Sequence, residues 1–163
     1  GVTEHARIMG DFDLAPLAGG VRCVWCSASP FFRWQRRLTK SDLAWAMRKS
    51  RHGSIGMVRD VQVTARTPVG RVETLEVVGT QRTVLLSGGE FRALLGFEQI
   101  RSLLFSLTSL GDLVVLDGGG WGHGVGLCQW GAAELARAGW SAQEILAFYY
   151  PGSVIMSVGA FTS

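Results

Sequence analysis

Apolar positions along the chain change rhythm several times, and each change marks an element. Over residues 31–39 aromatic and basic side chains come close to alternating, the two-residue period of a strand. Thr39 or Ser41 then stands where a helix N-cap belongs. It precedes Leu43, Ala46 and Met47, whose spacing draws one apolar stripe; Trp45 widens the stripe and Gly53 ends the element. From Ile55 to Leu86 the period returns to two. Val58, Val63, Leu75, Val77 and the run 84–86 are strand-like, and turn residues at 68–70 and 79–81 predict consecutive hairpins. Ser87-Gly-Gly-Glu opens a helix through Leu94 and Leu95 that Gly96 stops. Two strands, 105–107 and 113–116, flank a turn at 109–112. Beyond a glycine-rich stretch, residues 132–138 read as a helix with Leu135 and Ala136 inward and Gly139 as its cap. Ser141 begins another helix, through Ile145 and Phe148, ended by Tyr150-Pro151-Gly152.

The two ends are less patterned. Thr3 predicts a cap for a short helix over 4–9, closed by Gly19-Gly20. Residues 21–25 suggest a short strand, Ser29-Pro30 a turn, and 153–158 a last strand. With no internal repeat and no linker, the pattern predicts one α+β domain over 1–163. It would combine mixed or antiparallel β-hairpins, several short helices and a glycine-rich loop.

Composition narrows this picture. A chain of 163 residues suits one domain, and 47% apolar content provides for a core and excludes a disordered chain. The net charge of +3 fits an acidic polymer without selecting one. The basic clusters at 33–40 and 48–51 read as solvated faces, so no nucleic-acid partner is expected. No run of about 20 apolar residues exists, so no segment is expected to span a membrane. The start, Gly-Val-Thr-Glu-His, lacks both a secretory leader and Met, and suggests a chain beginning inside a longer reading frame or after processing.

Glycine is the outlier, at 22 residues. Half of the segment 118–131, Gly-Gly-Gly-Trp-Gly-His-Gly-Val-Gly-Leu-Cys-Gln-Trp-Gly, is glycine. Such density costs conformational entropy, and is tolerated where backbone takes positive φ or approaches a ligand or another chain segment closely. Trp121 and Trp130 offer flat apolar faces of the kind that suit the C–H face of a sugar ring. His123 can exchange a proton near neutral pH, and Gln129 can both donate and accept hydrogen bonds. No Lys followed by Ser or Thr ends the segment, as a phosphate loop requires, and Gly122-His-Gly124-Val-Gly126 is not the dinucleotide spacing. A solitary histidine is more often structural, but one held between glycines in a tryptophan-rich loop favours a functional role. For Trp130 and Cys128, at the start of a helix, core packing is the expectation.

Cys23-x-x-Cys26 and Cys128 make an odd set, not a disulfide framework. The pair alone is a weak metal signal, since zinc wants four ligands. A redox pair or two small buried residues are equally open. Cys128, His5 and His123 are the other candidate ligands, and nothing in the spacing brings them to the pair.

The block Trp-Gly-His-Gly-Val-Gly-Leu-Cys-Gln-Trp-Gly-Ala, followed by Gly139-Trp140-Ser141, Glu144-Ile145-Leu146 and Tyr149-Tyr150-Pro151-Gly152, resembles the signature of the stage II sporulation protein D family, the SpoIID/LytB or amidase-enhancer domain. Residues 84–95 are similar to the family's V-x-x-x-G-x-E/D-(L/F)-R-x-x-L-G. Residues 23–34 are similar to its C-x-x-C-x-x-S-P-x-x-x-W. The resemblance spans Gly1 to about Ser157.

It implies a bacterial protein acting outside the cytoplasm, in the cell wall or periplasm, on peptidoglycan glycan strands. The implied activity is that of a lytic transglycosylase. It protonates the oxygen between N-acetylmuramic acid and N-acetylglucosamine, and the muramic C6 hydroxyl attacks to leave a 1,6-anhydro end. The implied alternative is a non-catalytic peptidoglycan-binding module that enhances a cell-wall amidase, itself a candidate partner. The substrate-binding set it points to is Trp121, His123, Gly124, Gln129 and Tyr149. The chemistry needs one carboxyl group that serves as acid and then base. The family's glutamate lies in an E-A-L-K-A-Q-A-x-A-A-R-T helix with no counterpart here. Glu4 has no matching surroundings, and Glu90 and Glu134 read as solvent-facing helix residues. No catalytic residue is therefore identified, and whether this chain by itself is an enzyme is left open. The resemblance implies a domain short of its N-terminal part. The reaction requires no cofactor, but a structural zinc in the intact domain is implied, with Cys23 and Cys26 among its ligands and the rest from an H-S-x-C stretch. Where most members carry Ser, this chain has Cys128.

Overall fold

The computed structural model describes residues 1–11 and 13–156. The chain divides into two compact units, Pro30–His123 and the paired segments Gly1–Ser29 with Gly124–Ser163. Among the described residues there are two small antiparallel sheets and four α-helices, an α+β fold. None of these helices is long and apolar enough to cross a membrane.

The unit Pro30–His123 holds both sheets. Strand β1 (Trp34–Thr39) runs into helix α1 (Lys40–Lys49). Thr39 caps α1 by accepting from the Asp42 N–H, and the Asp42 carboxylate returns to the Thr39 N–H, a reciprocal capping box. Strands β2 (Val58–Arg66), β3 (Val72–Gly79) and β4 (Thr83–Ser87) form one meander through the hairpins that the turn residues predict. Ser87 and Glu90 close a second capping box on helix α2 (Gly88–Leu95). Strands β5 (Phe105–Leu110) and β6 (Leu113–Gly118) pair with each other, and β1 pairs with β6 on its far side, giving the order β1-β6-β5. One face of each sheet and the apolar stripes of α1 and α2 enclose a core that includes Leu43, Met47, Leu75, Phe91, Phe105 and Leu116. Burying each such side chain is worth about 1.5–3 kcal/mol.

Trp34 and Phe105 both stand opposite Gly118, in the strand registers β1–β6 and β5–β6. A Cβ on Gly118 would lie 2.2 Å from Trp34 Cζ2, so the glycine is what lets the indole lie across the sheet. The ring packs 6.2 Å from that of Phe105, and its Nε1–H donates to the Gly120 carbonyl at 3.0 Å. The expected strand at 31–39 thus starts three residues late. Phe31 contributes one carbonyl, accepting from the Gly120 N–H at 2.8 Å, instead of a ladder. Trp45 does not widen the buried stripe of α1: it is 54% exposed, with the Lys49 ammonium 3.9 Å from its ring centroid.

The second unit is built from helices α3 (Gln129–Arg137) and α4 (Ala142–Tyr149) and three 3-10 turns, Ala6–Met9, Ala15–Leu17 and Trp25–Ala28. Its core is small: Cys23, Leu135, Ile145 and Tyr149. Ser141 caps α4 reciprocally with Glu144. Leu135 is buried as its spacing predicts, but Ala136 is exposed. The first turn is capped by His5 instead of Thr3: His5 Nδ1 accepts from the Arg7 N–H at 3.0 Å. Thr3 joins residues 20–21, its backbone accepting from Gly20 and its hydroxyl from Val21. The strand expected at 21–25 shrinks to a single bridge, Val2 with Arg22. Of the strand expected at 153–158, residues 153–156 are without strand and the last two lie outside the described residues.

Candidate functional site

The glycine-rich segment crosses from one unit into the other at His123–Gly124. In the first unit it leaves the end of β6 and is tied down through its backbone. Gly119 N–H donates to Leu104 and Gly122 N–H to Arg101, while the buried Ser102 hydroxyl donates to the Gly119 carbonyl at 2.7 Å. These bonds hold the polypeptide and leave Trp121 projecting, 45% exposed. Its indole meets the Phe31 ring edge-on at 4.4 Å between centroids. The Arg101 guanidinium stacks over both rings, 4.8 Å from Phe31 and 5.5 Å from Trp121. Its buried Nε has no hydrogen-bond partner among the described groups, so the aromatic faces supply its electrostatic compensation. Arg92 braces this loop from behind, donating to the Ile100 and Arg101 carbonyls at 2.7 and 2.6 Å. Burial pulls its guanidinium below its ordinary value. The result is a half-exposed aromatic ledge with a cation beside it. His123 follows it and is also exposed. An open cleft of about 590 Å³ reaches Gly118 and Gly119 and is bordered by Arg33, Gln35, Arg66 and Asp117. The Asp117 carboxylate there accepts from Gln35 Nε2 at 2.8 Å.

In the second unit, Gly124 and Val125 lie beside the N-terminal segment. The Glu4 N–H donates to the Gly124 carbonyl at 2.8 Å, and Glu4 pairs with Val125 in a parallel bridge. Glu4 is buried, with one carboxylate oxygen accepting from the His5 N–H at 3.2 Å. Gly126 has φ +70°, and a Cβ there would press on the Tyr150 hydroxyl at 2.9 Å; that hydroxyl accepts from the Leu127 N–H. Gln129 and Trp130 are exposed at the start of α3, so Trp130 is not the core residue its position predicts.

Tyr149, expected to bind substrate, is 1% exposed and has no face for a sugar. Its hydroxyl lies 3.1 Å from Cys23 Sγ. Burial and this contact push the phenol well above its ordinary value. The contact belongs to a feature that the sequence did not predict: Cys23, Cys26 and Cys128 converge, with their sulfurs all within 4.8 Å of one another. Cys128 is the N-cap of α3 and accepts from the Gly131 N–H at 3.4 Å. Burial raises its thiol to about 11, so it is protonated at neutral pH. A Cβ on Gly131 would lie 2.2 Å from the Tyr149 hydroxyl and 2.4 Å from Cys23 Sγ, so glycine there makes room for the sulfurs.

The structure thus places Trp121 and His123 in one unit, and Gly124, Gln129 and Tyr149 in the other. Phe31 and Arg101 join the ledge, and no spacing signal in the sequence marks either one. The convergence of Cys128 with the Cys-x-x-Cys pair is invisible in the sequence because it depends on the packing of α3.

Residues 25–126, more than half of the chain, match the family model described as a domain of unknown function (DUF8618). The chain is 36% identical to stage II sporulation protein D of Bacillus amyloliquefaciens over all of its length, covering 44% of that protein. It is 28% identical to stage II sporulation protein D of Bacillus subtilis over 99% of the chain, again covering 44% of the relative. It is 35% identical to the amidase enhancer of Bacillus subtilis over 46% of the chain and 11% of that protein. The chain therefore spans less than half the length of these relatives.

Proposed function

Because the chain belongs to the stage II sporulation protein D family and to the domain family DUF8618, we propose that it works on the bacterial cell wall, outside the cytoplasm, by holding peptidoglycan glycan strands. The observation that carries this reading is the Trp121 ledge. An indole face on an anchored backbone, with the Arg101 cation beside it, suits a chain of pyranose rings bearing carboxylates. In this reading the strands are also cleaved, as by a lytic transglycosylase, between N-acetylmuramic acid and N-acetylglucosamine.

The relative named amidase enhancer supports a second reading. In it the chain binds glycan without cleaving it and stimulates an amidase partner.

One experiment tests the proposal and separates the two readings. The full-length protein is incubated with insoluble peptidoglycan stripped of stem peptides, sedimented, and the soluble fraction searched by mass spectrometry for anhydromuramyl ends. Trp121→Ala should weaken co-sedimentation by at least about tenfold, the loss of about 1.4 kcal/mol, with unfolding unchanged. Binding with anhydromuramyl release identifies the transglycosylase, and binding without release the enhancer. Failure of the native chain to sediment with glycan, or full retention by Trp121→Ala, overturns the proposal.

A further inference from the structure

The helical unit holds the three cysteines together, and the resemblance accounts for two of them. That resemblance implies a structural zinc at Cys23 and Cys26, with the rest of its ligands from an H-S-x-C stretch. From the position of Cys128 we infer that this sulfur is a third ligand, and that the chain's own residues form a three-thiolate site for a soft divalent cation of the zinc class.

The geometry suits that cation. Zinc–sulfur bonds of about 2.3 Å in a tetrahedron put sulfurs about 3.8 Å apart. The three here lie within 4.8 Å of one another, so side-chain rotation of an ångström or less closes the set. No disulfide joins them; all three are free. The surroundings are those of a ligand shell. The Gly131 N–H points at Cys128 Sγ, and the Tyr149 hydroxyl can donate to Cys23 Sγ. Such donors stabilise thiolates and orient them toward a metal. The missing side chain at Gly131 keeps the space beside Cys23 and Tyr149 open. Cys26 arrives from the 3-10 turn Trp25–Ala28, and Cys128 from the N-cap of α3. One cation would thus fasten two segments that are far apart in sequence, in a unit whose own apolar core is small. On binding, each thiol gives its proton to solvent and each sulfur gives a lone pair to the metal; no electron is transferred. The fourth tetrahedral position is left for another donor.

Cobalt(II), which takes zinc sites and absorbs light through sulfur-to-metal charge transfer, reports the ligand count directly. The full chain, reduced and metal-free, is titrated with cobalt(II) and then with zinc in competition. One equivalent should bind, with charge-transfer absorption of a three-sulfur set. Cys128→Ser should lose about a third of that absorption and bind zinc at least about tenfold more weakly. Serine is a strong N-cap, so α3 survives this change, and an unchanged far-ultraviolet spectrum checks that it does. Cys26→Ser should show the same loss, whereas Trp121→Ala should leave cobalt binding untouched, which keeps this result separate from the glycan reading. Equal absorption and affinity in Cys128→Ser and the native chain, no cobalt uptake by the native chain, or an intact mass showing a disulfide among the three would each overturn the inference.

Discussion

Replacing Gly118 with alanine tests the contact that supports the aromatic ledge. The added methyl would sit 2.2, 2.4 and 2.7 Å from Cζ2, Cε2 and Cη2 of Trp34. Those atoms belong to a buried ring that packs on Phe105, so the indole must move as a body. Overpacking of this kind costs about 1–3 kcal/mol, and a fixed ring puts it at the upper end. Displacing the indole also breaks its bond to the Gly120 carbonyl, about 1 kcal/mol more. Alanine restricts the unfolded chain and returns about 0.4–1 kcal/mol. The net expectation is a loss of about 3 kcal/mol, a large share of a typical domain's stability. Urea unfolding followed by sheet ellipticity reads it, since both sheets lie in this unit. Trp34→Phe removes the atoms that clash, so the double variant should be more stable than the sum of the two single losses by about 1 kcal/mol or more. A Gly118→Ala protein within about 1 kcal/mol of the native chain, or strict additivity in the double variant, refutes the reasoning.

Three further outcomes follow from the same geometry. Ser87→Ala removes the cap of α2 and should cost about 1 kcal/mol in urea unfolding. The carboxyls of Glu90 and Glu144 are held below their ordinary value, chiefly by the backbone N–H groups of Ser87 and Ser141. Their contribution is therefore fully present above the unfolded value, near pH 4.3, and is lost as pH falls below it through the lower folded values; a melting temperature that stays flat from neutral pH into that acid range would contradict this. Gly131→Ala should destabilise α3 and α4 by about 1–3 kcal/mol, with Tyr149→Phe in the same chain recovering part of the loss as seen by helical ellipticity.

What could be read from the sequence was what is local. The capping residues Thr39, Ser87 and Ser141, the hairpin turns of β2–β3–β4 and the ends of α2 all follow from side chains acting within a few positions. Trp45 misled because a stripe drawn from hydrophobicity alone ignores Lys49 one turn on, which offers that ring a cation and lets it stay in water. Thr3 misled because its hydroxyl serves Val21, a partner 18 positions away. The candidate site follows the same division. Trp121 and His123 stand exposed, as a binding role requires, and both are marked by their glycine neighbours. Phe31 and Arg101 reach the ledge only through sheet topology, and Tyr149 is drawn inward by Cys23.

The glycines of the segment serve two different purposes. A bare backbone reads in sequence as a cradle for a ligand. At Gly118, Gly126 and Gly131, however, the space that a methyl would fill is taken by the protein itself: the Trp34 indole, the Tyr150 phenol, and the Tyr149 phenol with the Cys23 sulfur. The entropy cost of those three glycines is offset by packing inside each unit. A Cβ at Gly120 or Gly122 would meet nothing within 4 Å. Both have positive φ, so glycine is needed there for backbone shape, and the room beside it stays open. These two residues flank Trp121. The part of the segment that leaves space for a ligand is therefore the short run from Gly120 to His123, and Gly118, filled by Trp34, fixes where that run leaves the sheet.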